Sequence, residues 1–258
     1  MKSVSLVTIL ILSFLTASCT SWWKKADDDI NSAYRGMSAK QLFDAARTDI
    51  KNKQYISASK KLEAMDSLYP FSDYAEQAQY DLIYAYYQNE EYPSAAATAE
   101  RFIRLYPRAK NVDYAWYMKG LANFQQVRGV FSKVLPMDES WRDPGTQEQA
   151  YADFGTFIQK FPNSRYRDNA LQRMIYLRNM FAQRELNNAK YYYKRKIYVA
   201  ATERANYLLR NYPQAPSAQE ALALVYHANS ALGLHAAAKD ALQVYEATYH
   251  SAPKPINT

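Results

Sequence analysis

The chain has 258 residues, with 32 Lys plus Arg against 25 Asp plus Glu, a formal charge of +7 and 24 tyrosines. Six glycines, three histidines and one cysteine leave no G-x-G-x-x-G or P-loop string, no zinc-ligand spacing, no Cys–His pair and no disulfide within the chain. Those counts exclude the common phosphate-cradling, metal and thiol enzymes, and they give an enzyme no residue set to work with.

The N-terminus runs Met1-Lys2, an apolar stretch from Val4 to Leu15, then Thr16-Ala17-Ser18-Cys19. A basic start, about a dozen apolar residues and small residues before a cut form the pattern of a secretory signal peptide. The stretch is too short to span a bilayer, which takes ~20 apolar residues. The small residues before the lone cysteine resemble a bacterial lipobox, where the thiol is diacylated and the cysteine becomes the first mature residue. Thr16 stands where leucine is usual, and Leu15 is one position earlier. The alternative is an ordinary signal peptide with an incidental cysteine near its end. A free thiol with no partner in an oxidising compartment argues against that alternative. Thr20 follows, not the aspartate of inner-membrane retention, which favours the periplasmic face of the outer membrane. Residues 1–18 are therefore expected to be a lipoprotein signal peptide and 19–36 a lipid-anchored flexible linker. S-diacylglycerol and N-acyl groups on Cys19 would supply the multiple chains that stable anchoring needs. No other cofactor is expected.

Beyond residue 36 the chain repeats. Aromatic-proline pairs recur at Tyr69-Pro70, Tyr106-Pro107, Phe161-Pro162 and Tyr212-Pro213, with a degenerate copy at Tyr249 and Pro253. The first and last intervals are both 37 residues; the middle two are 55 and 51. Fourteen positions before each aromatic stand Tyr55, Tyr92, Gln147, Tyr198 and His235, and three further on stands alanine every time: Ala58, Ala95, Ala150, Ala201, Ala238. A small residue at a fixed place lets two helices cross closely, and aromatic rings fill the space around the crossing. Proline after the last aromatic stops the second helix. The spacing predicts helix pairs over 39–52 with 54–68, 72–90 with 92–105, 110–126 with 145–160, 164–195 with 197–211, and 215–232 with 234–249. Leu82, Tyr86 and Tyr87 follow helical spacing, with no β alternation. The fold class is all-α, a solenoid of about five helix pairs. It resembles the tetratricopeptide repeat, whose period is ~34 and whose alanine and terminal proline stand in the same relation.

The third unit carries extra residues within Val127 to Thr146, expected to be a loop packed by Phe131 and Trp141. The fourth unit has no breaker between Asn163 and Ile197, so its first helix is expected to be long. Such a helix either overhangs its neighbours by about four turns as a docking face or packs along them. The tyrosines are expected mostly in the core, with some lining a groove.

The charge is local. Lys160 to Arg210 holds twelve Lys or Arg and three acids, a net +9, so the remainder sums to −2. A secretory start argues against nucleic acid as the partner. An anionic membrane surface, an acidic partner protein and a merely solvated face stay open, and the fixed fork of arginine favours the acidic partner. His227, His235 and His250 have no Ser or Asp fixed beside them, and His235 fills an aromatic position of the repeat, where packing is expected. Acid runs such as Glu90-Glu91 and Asp27-Asp28-Asp29 read as solvated charge.

Five strings carry a closer resemblance: LYPFSDYAEQAQYDLIYAYYQNEEYP (68–93), RFIRLYP (101–107), DYAWYMKGL (113–121), RDP (142–144) and KFPNSRY (160–166). They are similar to the tetratricopeptide lipoprotein family of the bacterial outer-membrane β-barrel assembly machinery. That resemblance implies a non-enzymatic scaffold, lipid-anchored on the periplasmic face of the outer membrane. Its implied partners are the periplasmic domains of the barrel subunit, the machinery's other lipoproteins, and unfolded outer-membrane proteins. It implies that Arg204 pairs with a partner carboxylate, inside the basic segment with Arg195 and Lys196. It also implies that the N-terminal repeats receive extended C-terminal signals ending in an aromatic residue, in a groove expected at Tyr84, Tyr87 and Tyr92. On this reading 37–143 is the substrate side, 144–252 the partner side and 253–258 a tail. The other reading is an envelope lipoprotein with a different partner, in peptidoglycan or division work.

Overall fold

A computed structural model describes residues 32–126 and 145–256. Cys19, the linker as far as residue 31, and Phe131 and Trp141 lie outside the described residues. Residues 32–34, expected in the flexible linker, form a helical turn whose Tyr34 packs against the first core. Ten long helices follow in order: α1 (Ala39–Lys51), α2 (Tyr55–Leu68), α3 (Ala75–Gln88), α4 (Tyr92–Leu105), α5 (Val112–Gln126), α6 (Gly145–Lys160), α7 (Arg167–Lys194), α8 (Tyr198–Asn211), α9 (Ala218–Ala231) and α10 (His235–Tyr249). No strand occurs among the described residues. The helix pairs follow the expected boundaries to within a few residues, and α6 spans 145–160 as the spacing predicts.

The sequence rules act locally. Ser38 caps α1 in a capping box: its hydroxyl accepts from the Gln41 amide, and the Ser38 amide donates to the Gln41 side chain at 2.8 Å. Four first helices end in the same way. Lys53, Glu90, Lys196 and Gly233 adopt left-handed φ of 60°, 61°, 61° and 72°. The next residue donates back to a carbonyl five positions earlier, as Gln54 does to Asp49 at 2.8 Å and Leu234 to Asn229 at 3.0 Å. This closing turn satisfies carbonyls that the helix leaves open. It also places the following residue as N-cap of the second helix, with Gln54, Glu91, Ile197 and Leu234 all near φ −85° and ψ 65°. The turn fixes the register that puts alanine at the crossing. Ala58, Ala95, Ala150 and Ala201 are wholly buried and Ala238 is 6% exposed.

The chain divides into two compact units, Met1–Ala122 and Asn123–Thr258. In the first, α1, α2, α3 and α4 pack successively around Leu42, Leu62, Met65, Leu82 and Ile83. In the second, α6 to α10 pack successively and α7 also touches α9, around Phe154, Leu177, Leu186, Leu208 and Leu224. Removal of each such side chain from water stabilises by roughly 1.5–3 kcal/mol.

Two expectations change, for the tyrosines and for His235, and one alternative, for α7, is decided. Among the described residues only Tyr114, Tyr117 and Tyr245 of the tyrosines are buried and most of the others are half-buried, as suits a ring with a polar tip. Helix α7 does not overhang. Its first half meets Phe124 through Tyr176 at 5.8 Å, and Met174 stands over Gly155 of α6, where a Cβ would touch it. Its second half is covered by α8 and α9, through Phe181 with Tyr212 and Lys190 with Glu220. His235, expected to pack, is exposed; α10 buries only Ala238, Ala241 and Tyr245.

Candidate functional site

In the first unit, residues of α1, α3 and α5 line a cavity of about 780 Å³. Tyr80, Tyr84 and Tyr87 lie at successive helical spacings on α3, so one face of that helix presents three rings. Tyr114, Met118 and Leu121 of α5 form another wall, and Arg47 and Lys51, one turn apart on α1, contribute cations. The Tyr80 and Tyr114 rings stack with centroids 4.4 Å apart. Tyr92 stands beside the lining, edge-on to Tyr87 at 5.5 Å. Tyr84 meets Tyr55 edge-on at 6.0 Å, and burial with the Tyr55 hydroxyl raises its pKa above the ordinary phenol value.

Asp81 is the acid of this cavity. Gln77 donates to its Oδ1 at 2.8 Å, while its buried Oδ2 has no hydrogen-bond partner. The Arg47 Nε stands 3.8 Å away, close enough for attraction and too far for a hydrogen bond. Burial pushes the Asp81 pKa up, and Gln77 and Arg47 offset that only in part. The other acids between these helices are better served. Asp49 is bonded by Lys61, Asp66 by Arg101 at 2.5 Å, and Glu63 by the Tyr86 hydroxyl at 2.6 Å.

In the second unit the basic segment is partly neutralised from within. Glu185, 4% exposed on α7, lies 3.3 Å from Arg204 of α8 and 3.8 Å from Arg184. Arg184 also reaches Glu148 at 3.6 Å, and Lys190 reaches Glu220 at 2.8 Å. Arg204 nevertheless keeps 49% of its side chain exposed. Lys194, Arg195 and Lys196 are exposed at the α7–α8 turn, where Arg195 lies over the Tyr191 ring at 4.3 Å. Ile197 and Val199 beside them are exposed as well.

Of the three tyrosines expected at a groove, Tyr84 and Tyr87 line this cavity and Tyr92 does not; Arg47, Asp81 and Tyr114 line it too, and nothing in the sequence marks them. Tyr80 was within reach, since it shares the helical stripe of Tyr84 and Tyr87. In the sequence Glu185 is one of three acids in the basic segment, and nothing there marks it as lying between two arginines. The histidines stay apart: His227 bonds the Lys254 carbonyl at 3.0 Å, and His250 ends α10 with φ 52°. Among the described residues no group of His, Cys, Asp or Glu could hold a metal ion. No helix among them is long and apolar enough to cross a membrane.

Helix pairs in this register, each crossing at a buried alanine, define a tetratricopeptide-like repeat protein. The family model described as outer membrane lipoprotein, YfiO, matches residues 35–244, and the chain belongs to that family. It is 37% identical to the outer membrane protein assembly factor BamD of Xylella fastidiosa strain Temecula1, over 94% of this chain and 81% of that protein. It is 39% identical to the protein of the same name in Vibrio cholerae, over 75% of this chain and 80% of that one. With the Neisseria meningitidis serogroup A protein of that name the identity is 34%, over 98% and 93%.

Proposed function

We propose that this chain is an outer-membrane protein assembly factor, a non-enzymatic scaffold that helps insert β-barrel proteins into the outer membrane. The observation that carries the reading is similarity along nearly the whole chain to proteins named for that role. It is held at the periplasmic face by lipid on Cys19. Its second unit docks periplasmic domains of the barrel subunit through Arg204, with Arg195 and Lys196 beside it. The half-exposed guanidinium of Arg204 supports this, because Glu185 takes one edge and leaves other N–H groups for a partner carboxylate. The first unit's cavity receives extended substrate segments that end in an aromatic residue. Its tyrosine walls and its two cations suit a ring and a terminal carboxylate.

Pull-down of the acylated protein in mild detergent tests the reading. A large β-barrel protein is expected to co-purify, and recovery of soluble periplasmic partners alone would favour the peptidoglycan or division role. Arg204→Glu is expected to weaken the association at least about tenfold, the scale of one charge-assisted contact. Arg108→Glu, an exposed charge of the first unit, serves as control. Equal losses in the two variants would remove the basic segment as the docking face.

A further inference from the structure

The aromatic cavity contains one feature that an apolar guest does not explain. Asp81, the one acid of the lining among the described residues, holds a buried oxygen with no hydrogen bond. A buried acceptor without a donor is unfavourable, and nearly all such atoms in folded proteins are satisfied. The neighbouring acids of the unit follow that rule through Lys61, Arg101 and Tyr86. Asp81 departs from it where the unit opens to solvent.

We propose that Asp81 is the specificity-determining residue of this cavity, accepting on Oδ2 a main-chain N–H of an extended peptide whose aromatic side chain lies among the tyrosines. This rests on the reading of the cavity as a peptide site. An extended strand exposes a donor at alternate residues along each edge, so a peptide can fill the apolar walls and reach the acceptor together. A hydrocarbon or a peptide lacking that N–H leaves Oδ2 orphaned after water has been expelled. A site built to bond a donor rejects an analogue without it far more strongly than a greasy pocket rejects one of altered size. Arg47 is the group able to give way. Its side chain is 62% exposed and is held by the long 3.8 Å approach to Asp81 and by the Phe43 ring at 5.6 Å. Released from Asp81, it meets the anionic end of the guest. The upward displacement of the Asp81 pKa by burial agrees with an acceptor short of donors.

The test uses the full chain and a labelled short peptide ending in phenylalanine with a free carboxylate. Its partner is the same peptide N-methylated at the phenylalanine amide. Fluorescence anisotropy is expected to show about tenfold tighter binding of the unmethylated peptide. In Asp81→Asn the preference is expected to fall to about twofold or less. Gln77 would still bond the remaining oxygen, so an amide N–H₂ rather than an acceptor would face the guest. Thermal melting of the variant serves as the folding control. Equal affinity of the wild type for both peptides, or an unchanged preference in Asp81→Asn, would overturn the role of Asp81 and leave the peptide site standing. Failure of the folded wild type to bind either peptide would overturn the site and this inference with it.

Discussion

Asp81 in the first unit and Glu185 in the second are both carboxylates removed from water beside arginine, and they are served very differently. Glu185 lies between Arg204 at 3.3 Å and Arg184 at 3.8 Å, so its charge is answered inside the fold. Asp81 has Arg47 at 3.8 Å and an oxygen without a hydrogen bond. In one unit the buried acid organises cations that are then shown outward; in the other it waits at the wall of a cavity. The same repeat thus builds two kinds of surface, and the difference rests on whether the arginine of the neighbouring helix comes within hydrogen-bond reach of the acid.

The severest way to break both units is through what they share. Ala95 and Ala201 are wholly buried at the equivalent crossing. Ala95→Leu and Ala201→Leu are each expected to lose about 3 kcal/mol by urea denaturation, since the added side chain cannot fit without spreading two helices. A loss well under about 1 kcal/mol in either would show that its crossing is looser than the repeat pattern implies.

The comparison itself is sharpened by Glu185→Gln and Asp81→Asn. Loss of the Glu185 charge leaves Arg184 and Arg204 without their shared acid, at a cost of about 1–2 kcal/mol, moderated by the exposure of Arg204. Asp81→Asn is expected to leave the melting temperature unchanged or higher at neutral pH. Burial raises the folded-state pKa of Asp81 above 3.8, so the charged form is disfavoured by folding. That gain is present at neutral pH and shrinks as pH falls through the raised value toward the unfolded one. Asp49 has the opposite sign. Burial raises its pKa, but hydrogen bonds from Lys61 and Ser57 and the Lys61 charge outweigh burial and hold it below 3.8. Its contribution is present above 3.8 and is lost as pH falls through the lowered value. Melting curves of wild type, Asp81→Asn and Asp49→Asn between about pH 7 and about pH 3 separate the two effects. Parallel curves for all three would remove the contrast.

The smallest effect lies in the turns. Lys53 and Lys196 occupy the left-handed position that Gly233 fills in the last pair. Lys53→Gly and Lys196→Gly are each expected to add up to about 1 kcal/mol by relieving the Cβ clash. Lower stability in both would mean that the gain in freedom of the unfolded chain outweighs that relief.

The helix pairs were legible because their cause is periodic and short-range. Alanine at one register position, proline after an aromatic and a first-helix stripe such as Tyr80, Tyr84 and Tyr87 can all be read along one line of sequence. The closing turns were not read, since three of the four left-handed residues are Lys or Glu and only Gly233 carries the usual mark. Of the cavity lining, Tyr84 and Tyr87 were legible as members of a helical face. Arg47 and Tyr114 were not, because they come from α1 and α5 and nothing near them in sequence signals the meeting.

The basic segment shows the same boundary. Its net +9 over Lys160 to Arg210 is a property of the sequence alone. Which of those charges face a partner depends on acids elsewhere in the second unit, since Glu148 and Glu220 reach in from α6 and α9 to Arg184 and Lys190. The sequence by itself determined the helix pairs, their alanine crossings and the excess of charge and tyrosine, because helix formation and close crossing depend on neighbours a few residues away. Tertiary structure alone decided that α7 is covered along both halves, that Glu185 is answered and that Asp81 is not. Each of those depends on donors, rings and methyl groups brought together from distant helices, and pair energies of that kind exist only once the chain has closed around them.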